Sequence, residues 1–304
     1  MRKHKRRFRH PVFGLWSLLF LCVLCASAVN SFAQTEADTL AEIINRGSVE
    51  QKRTALIQLR NLETETASRV AAPALRDKSE IVRATAAASV VYLPPEEAAQ
   101  VLLPLLNDKS EFVRREAAYA LGKTRSPTAI LPLLRLLQQN LPRKKKQKEK
   151  ELEVRGAAAI ALGEIGDASA VDSLTRILQT SRAPEEEFLR RAAARSIGQI
   201  AQIIQTGESV VITPESFLPD EYKPARKVKY VDLAENFPAF RAAIGVLIQT
   251  LQNTREFDDV RRETAFALGA IGDSTAIPVL KTNLNAEDYY LAQISREALK
   301  KIER

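Results

Sequence analysis

The chain has 304 residues, with 45 Lys or Arg, 37 Asp or Glu and a formal net charge of +8 at pH 7. Six of the basic residues lie in the first ten positions, so residues 34–304 carry 39 basic and 37 acidic residues and are close to neutral. Both Cys, both His, the only Trp and the only Met also precede residue 34. This excludes a disulfide, a Cys/His zinc site and a His-based triad from the rest of the chain, and we expect no metal or other cofactor.

The N-terminal segment has the pattern of a secretory signal. "MRKHKRRFRH" is basic, residues 11–35 carry no charge, and an apolar run extends from Val12 to Val29. Ser31 and Ala33 are the small residues at positions −3 and −1 of a cut after Ala33. We predict a signal peptide over residues 1–33 and an exported protein, periplasmic or extracellular. The alternative is an uncleaved signal anchor on the inner membrane with the protein facing outward, because about 18 apolar residues can span a bilayer.

One segment recurs along residues 36–304. "DKSEIVRATAAASVV" begins at Asp77, and "DKSEFVRREAAYALG" begins 31 residues later at Asp108. Counted from the cation of "VR", apolar or small residues follow at offsets three, four and seven, which is one face of an α-helix. We name this element helix B. Its anchor residues are Lys52, Arg83, Arg114, Arg155, Arg190, Arg261 and, in a degenerate copy, Ser295.

A second recurring segment, named helix A, lies between the B helices. "AILPLLRLL" (129–137) and "AVDSLTRIL" (170–178) are two of its copies, with apolar residues at helical spacing. Turns such as "IGDASA" (165–170) place Gly where one helix ends and Asp where the next begins. Stacked two-helix units bury one continuous core. The predicted fold over residues 34–304 is therefore an all-α solenoid of about seven A–B pairs.

Three kinds of residue recur at fixed places in the repeat. One helix-B slot is glycine in four of the repeats, for which we predict close helix approach, with a ligand-facing role as the alternative. Asp77 and Asp108 each lie six residues before an anchor, and we expect them to cross-link adjacent repeats. Prolines in helix A should kink that helix. The glycines are Gly122, Gly163, Gly198 and Gly269, and the prolines are Pro73, Pro104, Pro132 and Pro278.

The segments "EVRGAAAIALGEIGDASAVDSL" (153–174) and "DVRRETAFALGAIGDSTAIPVL" (259–280) resemble HEAT-like repeats of the phycobilisome-lyase type. The resemblance covers nearly all of residues 36–304 and implies a binding scaffold. Such repeats also occur in bilin lyases and in a di-iron hydroxylase whose repeats carry His-Glu metal ligands. Because residues 34–304 contain no His, the hydroxylase ligands have no counterpart in this chain.

The anchors are spaced by 31, 31, 41, 35, 71 and 34 residues, which places insertions near 138–150 and 204–237. The first contains "LPRKKKQKEKELE" (141–153) and is interpreted as a solvated loop with an extended helix start. The alternative is a contact with an anionic lipid, protein or nucleic acid. The second, with alternating residues and three Pro, is an extended loop or small hairpin that is either functional or only a disordered or capping segment. Its candidate contact residues are Tyr222, Arg226, Lys227, Lys229 and Tyr230.

The leading functional hypothesis is an exported, non-catalytic scaffold or adaptor that binds a protein or peptide. Helix geometry turns offsets one, two, five and nine of helix B outward, and the resemblance places helix B on the concave face. Aromatic and Arg side chains in these slots are typical of binding hot spots and suggest an acidic partner. In the alternative, the aromatic residues pack against neighbouring repeats and the arginines are solvated. The candidate partner-binding residues are Tyr92, Arg115, Tyr119, Lys123, Arg191, Arg195, Arg262 and Phe266.

Two other classes of function remain open at this point. One is a HEAT-like enzyme or enzyme-accessory protein of the lyase type. The other is a binder of an anionic surface or of nucleic acid through the Lys-rich insertion. The near-neutral charge of residues 34–304 and the predicted export disfavour nucleic acid, and membrane contact is expected only through an uncleaved leader.

Overall fold

The computed structural model describes residues 38–180, 182–207 and 231–303. Within these ranges the regular structure is α-helical or 3-10 helical, without strands. No helix in the described part of the chain has both the length and the hydrophobicity needed to cross a membrane. The expected signal peptide over residues 1–33 and the five candidate residues of the second insertion lie outside the described residues.

The helices alternate between the two predicted kinds. Numbered in chain order, the B helices are α2 (Val49–Asn61), α4 (Glu80–Ser89), α6 (Glu111–Thr124), α8 (Lys145–Ile165), α10 (Glu187–Thr206), α13 (Asp258–Ile271) and α15 (Tyr289–Ile302). The A helices are α1 (38–46), α3 (Glu65–Ala71), α5 (Pro95–Leu102), α7 (Ile130–Gln138), α9 (Val171–Leu178), α12 (Pro238–Gln252) and α14 (Ile277–Thr282). A short helix, α11 (Leu233–Asn236), precedes α12. The described residues thus contain the seven predicted A–B pairs.

The pairs stack into two rows. Each B helix packs against the next B helix, from α2 through α4, α6, α8, α10 and α13 to α15, and the A helices form the second row. The residues at offset seven from the anchor, such as Leu121, Leu162 and Leu268, are at most 1% exposed. Each such side chain contributes roughly 1.5–3 kcal/mol by leaving water. The arrangement is an α-solenoid with one continuous core between its rows.

The helix-B glycines lie where adjacent B helices approach most closely. A Cβ added to Gly122 would lie 2.6 Å from Cα of Ala161 in α8, and one added to Gly269 would lie 2.6 Å from Cα of Ala298 in α15. The prediction of close approach is confirmed. The space beside this glycine position also accommodates a side chain of the following repeat: the Phe266 ring lies over Gly198.

The two aspartates cross-link repeats as predicted, and the structure shows in which direction. Lys52 Nζ lies 2.7 Å from Asp77, and Arg83 donates to both carboxylate oxygens of Asp108 at 2.7 and 2.8 Å. Each aspartate therefore accepts from the anchor of the preceding repeat. The anchor in the same repeat as the aspartate contacts the main-chain oxygen of that aspartate and not its carboxylate. Arg114 Nη1, for example, donates to the main-chain oxygen of Asp108 at 2.6 Å.

The first insertion is largely helix. Helix α7 ends at Gln138 and α8 begins at Lys145, so most of the lysine run forms the first turns of α8. Two of these lysines pair with acids outside α8: Lys148 Nζ lies 3.2 Å from Glu185, and Lys150 pairs with Glu111. This is the extended helix start that the sequence predicts, and the loop is confined to residues 139–144.

The prolines of helix A act in two ways. Pro73 and Pro104 lie at the change from α-helix to the 3-10 turns Ala72–Arg76 and Leu103–Asn107, so the predicted kink is found there as a change of helix type. Pro132 and Pro278 lie in the first turns of α7 and α14, where the missing N–H breaks no helical hydrogen bond.

The described ends of the second insertion are tied to the stack. The Gln205 side chain donates to the Val231 carbonyl at 2.8 Å and accepts from the Val231 N–H at 3.0 Å. Leu233 of α11 is buried in the core. The chain therefore leaves α10 and returns to it at the same place.

Candidate functional site

The outward face of the B helices contains two adjoining cavities, which together we name the helix-B groove. The Phe266 cavity, of about 700 Å³, is lined by residues of α6, α8, α10, α13 and α15. The Phe188 cavity, of about 550 Å³, lies beside it between α8, α10, α13 and α15. Both cavities include Arg195, Glu263 and Ile294, so one ligand of peptide length can reach both.

Five of the eight predicted partner-binding residues line this groove: Lys123, Arg191, Arg195, Arg262 and Phe266. Arg115 borders a smaller cavity of about 150 Å³ farther along the B row. Tyr119 packs against the hydrophobic core from α6. Tyr92 lies beyond the end of α4 and lines none of these three cavities.

The four arginines predicted on this face are not simply solvated, because each donates to an acid of the next repeat. Arg115 reaches Glu153 at 2.5 Å, Arg191 reaches Asp259 at 3.1 Å and Arg195 reaches Glu263 at 3.0 Å. Arg262 bonds Asp288, the N-cap residue of α15, at 2.7 and 3.1 Å. Their charges are therefore balanced inside the protein, and they add little net attraction for an acidic partner.

Three of these arginines also lie over aromatic rings. The guanidinium carbon of Arg115 is 5.2 Å from the Phe112 ring centre, and that of Arg191 is 5.7 Å from the Phe188 ring centre. Arg262 lies 5.2 Å from the ring centre of Tyr290. A guanidinium held between a ring and a carboxylate has little freedom left to lose when a ligand arrives. The walls of the groove are thus ordered before binding.

The pair formed by Arg262 and Asp288 shows the electrostatic effect of this arrangement. The hydrogen bond from Arg262 is the main cause that lowers the pKa of the Asp288 carboxyl below its usual range. The same bond raises the pKa of Arg262. Both groups therefore stay charged at neutral pH, and the wall of the Phe188 cavity keeps its ion pair.

Phe266 and Tyr119 both pack against the protein, as the alternative interpretation of these residues expects. The Phe266 ring lies over Gly198 of α10, with Lys301 Nζ 5.6 Å from the ring centre. Tyr119 is half-buried, and burial raises the pKa of its hydroxyl. Phe266 nevertheless stays partly exposed and lines its cavity. Packing and binding are therefore not exclusive roles for this residue.

Several residues of the Phe266 cavity were not among the sequence candidates, including Arg125, Glu164 and Gln199. Glu164 and Gln199 lie at offset nine from Arg155 and Arg190, so the outward-offset rule could have included them. One oxygen of each, Oε2 and Oε1 respectively, is buried without a hydrogen-bond partner. Burial is the main cause that raises the pKa of Glu164, and the charges of Lys123 and Arg125 oppose it.

The groove offers ion pairs, amide groups and aromatic rings, which are groups for non-covalent recognition. Within residues 38–180, 182–207 and 231–303, no cluster of three or more His, Cys, Asp or Glu could hold a metal ion. No residue in the described part of the groove is a thiol or an imidazole.

Two family models match the chain. The model described as HEAT repeats matches residues 68–152 and 145–211, and the PBS lyase HEAT-like repeat matches residues 260–286. Together these matches cover more than half of the sequence and extend from the second repeat to the seventh. None of the curated proteins matches the chain.

The solved structures to which the chain is similar include natural, engineered and designed proteins. The CpcE–CpcF complex of phycocyanin lyase from a Nostoc species is 20% identical, with 88% of each chain covered and a TM-score of 0.48. An engineered protein is 19% identical over 88% of this chain and 68% of that one, with a TM-score of 0.49. A designed armadillo repeat protein in complex with the peptide (KR)4 is 16% identical over 87% and 98%, with a TM-score of 0.45.

Proposed function

The chain belongs to the HEAT-repeat proteins, and we propose that it is an exported, non-catalytic scaffold that binds a protein or peptide partner in the helix-B groove. The observation that carries this proposal is the groove itself. It has two adjoining cavities of about 700 and 550 Å³. Aromatic residues line both, and ion-paired arginines form part of their walls. An apolar centre with a polar rim is the usual anatomy of a protein-binding surface.

The order of the groove supports a binding role. Arg191 and Arg262 are each fixed by a carboxylate and a ring. Association costs roughly 0.5–1.5 kcal/mol for each flexible side chain that must be immobilised. Because these side chains are already ordered, a partner that binds along the B row needs to immobilise fewer of them.

Export is proposed from residues 1–33 and is tested separately from binding. The protein is isolated from the cell envelope and its N-terminal residue is determined. A mature chain that begins at Gln34 is expected. Membrane-embedded protein that begins at Arg2 would instead favour the signal anchor.

Binding in the groove is tested with a photo-crosslinking amino acid at one of two positions in the full chain. Tyr290 borders the Phe188 cavity and Leu131 lies in helix α7 of the A row, and both are 64% exposed. Crosslinking in the native envelope should join a discrete partner at position 290. The matched position 131 should give none. Equal crosslinking at the two positions, or crosslinking only at 131, would contradict the groove as the binding site.

A further inference from the structure

Two cations at the rim of the Phe266 cavity differ from the four paired arginines. Lys123 and Arg125 line the cavity and are exposed. In the described part of the chain, neither side chain has an ion pair or a hydrogen bond, although Arg115 on the same helix has both. Their charges act on the Glu164 carboxylate at a distance, but no salt bridge within the described residues holds either side chain, so both can contact a ligand.

Arg125 also has an unusual backbone conformation. It follows α6 with φ 53° and ψ 25°, in the left-handed region. The residues at the same place after α8, α10 and α13 are Gly166, Gly207 and Gly272, with φ of 83°, 74° and 82°. A side chain disfavours this conformation, which is why glycine is the usual choice. This repeat therefore has an arginine where glycine would be more stable, and no hydrogen bond or ion pair of its side chain within the described residues explains it.

The acids of the Phe266 cavity do not neutralise this rim. Glu263 pairs with Arg195, and Glu297 pairs with Lys300. The third, Glu164, packs one carboxylate oxygen against Gly122 and forms no ion pair within the described residues. Burial raises the pKa of Glu164 and the nearby charges of Lys123 and Arg125 oppose that shift, so a single carboxylate faces two cations. The rim is thus positive, above a floor that includes Phe266, Ile294 and Ala298.

We propose that Lys123 and Arg125 bind a carboxylate of the partner, on an acidic side chain of a peptide whose neighbouring apolar residue packs on Phe266. This inference rests on the proposed function and deepens it, because it names the chemistry of the partner. Charge complementarity selects the occupant: the four paired arginines leave little excess charge, whereas Lys123 and Arg125 form no ion pair within the described residues and face one half-buried carboxylate, that of Glu164. A guanidinium and an ammonium together suit a carboxylate.

The test measures fluorescence anisotropy of labelled peptides with the full chain at low salt. One peptide alternates Glu and Leu, and the two matched peptides replace Glu by Gln or by Lys. The Glu-Leu peptide should bind most tightly. Arg125→Gly and Lys123→Gln should each weaken it by about tenfold, because each removes one charge-assisted contact. Arg125→Gly restores the glycine of the other repeats, so the melting temperature should stay the same or rise.

Arg53→Gln is the charge-matched control, because Arg53 is an exposed cation on α2 that lines neither cavity of the groove. Its effect should remain within about twofold, as expected for a remote surface charge. Equal losses in Arg53→Gln and Arg125→Gly would overturn the proposal, since only net charge would matter. Tighter binding of the Lys-Leu peptide would also overturn it and would make Glu164 the recognition group.

The outcomes separate this inference from the proposed function. If the Glu-Leu peptide does not bind, or binds all variants equally, the carboxylate site is wrong. Crosslinking at position 290 would then still support a groove partner of different chemistry. If crosslinking at 290 also fails, the proposed function itself is contradicted.

Discussion

Two sets of ion pairs connect the repeats, and they differ in solvent exposure. In the anchor ladder the helix-B anchors Lys52, Arg83 and Arg190 pair with acids of the following repeat. In the groove ladder the outward-facing arginines, Arg115, Arg191, Arg195 and Arg262, do so. The anchor ladder contains Arg190 and Glu256, whose side chains are 2% and 1% exposed. The groove ladder contains Arg195 and Glu263, at 55% and 20%. The chemistry of the pairs is the same. Removing one member of a buried pair leaves an uncompensated buried charge. In an exposed pair, water can replace the lost partner at little cost. The first ladder therefore holds the stack together, and the second shapes its surface.

The buried pair also bridges the longest gap between anchors. Arg190 Nε lies 3.2 Å from Glu256, which is 66 residues later in the chain. Its Nη1 donates to the carbonyls of Ile177, Leu178 and Thr180 at the end of α9. One side chain thus joins the end of an A helix to the repeat that follows the second insertion. This explains how the stack continues across an interruption of the period.

The largest expected effect comes from breaking this pair. Glu256→Leu should lower the free energy of unfolding by about 3–5 kcal/mol, because it leaves Arg190 buried and uncompensated. The double variant Arg190→Met with Glu256→Leu should recover most of that loss. Urea unfolding followed by circular dichroism measures both. A loss below about 1 kcal/mol in the single variant would show that burial does not separate the two ladders.

Asp108 of the anchor ladder, whose side chain is 13% exposed, should show its contribution to stability through pH. Desolvation raises the pKa of its carboxyl, but the hydrogen bonds from Arg83 and from the Ser110 N–H, with the Arg83 charge, lower it below its ordinary value. A carboxyl whose pKa is lower in the folded than in the unfolded protein stabilises the fold. This stabilisation is complete above the unfolded pKa of about 3.9 and is lost as the pH falls through the folded pKa. We expect the free energy of unfolding to fall between about pH 5 and about pH 2.

Asp108→Asn is the matched variant for this prediction. At pH 7 it should be less stable by about 1.5–3 kcal/mol, the usual range for hydrogen bonds to a charged group. Its stability should also depend less on pH in the acidic range. An acid titration with the same slope as the wild type would show that other carboxylates dominate.

A third change tests the contact between helices on which both ladders depend. Gly122→Ala should cost about 1–3 kcal/mol, because the new Cβ would meet the backbone of Ala161 at 2.6 Å. Gly245→Ala is the control: Gly245 lies inside α12, with nothing within 4 Å of an added Cβ. That change should stabilise the protein by up to about 1 kcal/mol, since alanine is the better helix former. Thermal unfolding of the two variants measures the difference, and similar destabilisation of both would argue against close approach as the cause.

The smallest expected effect is in the groove ladder. A double-mutant cycle of Arg195→Ala and Glu263→Ala should give a coupling energy of about 0.2–1 kcal/mol, and added salt should reduce it further. A coupling energy above about 2 kcal/mol would mean that this exposed pair also holds the stack together, and the distinction between the ladders would fail.

The candidate site could be predicted only in part. Helical offsets correctly turned Lys123, Arg191, Arg195, Arg262 and Phe266 toward the groove, because the direction of a side chain on a helix depends on local geometry. The same offsets could not show that Arg191 meets Asp259, 68 residues away. Nor could they show that Arg125 forms no ion pair within the described residues. A search restricted to aromatic and basic residues also missed Glu164 and Gln199.

By itself, the sequence determined the seven A–B pairs, the buried offsets, the close approach at the glycines and the helical start of α8, because each follows from a period within one or two helices. The tertiary structure decided which charges are neutralised. The sequence already predicted that Asp77 and Asp108 cross-link repeats, but not that Arg190 pairs with Glu256, 66 residues away, a distance along the chain that no period specifies. Only the stacking of adjacent repeats brings such groups within hydrogen-bond range, and within the described residues it leaves Lys123 and Arg125 near Glu164 but without an ion pair.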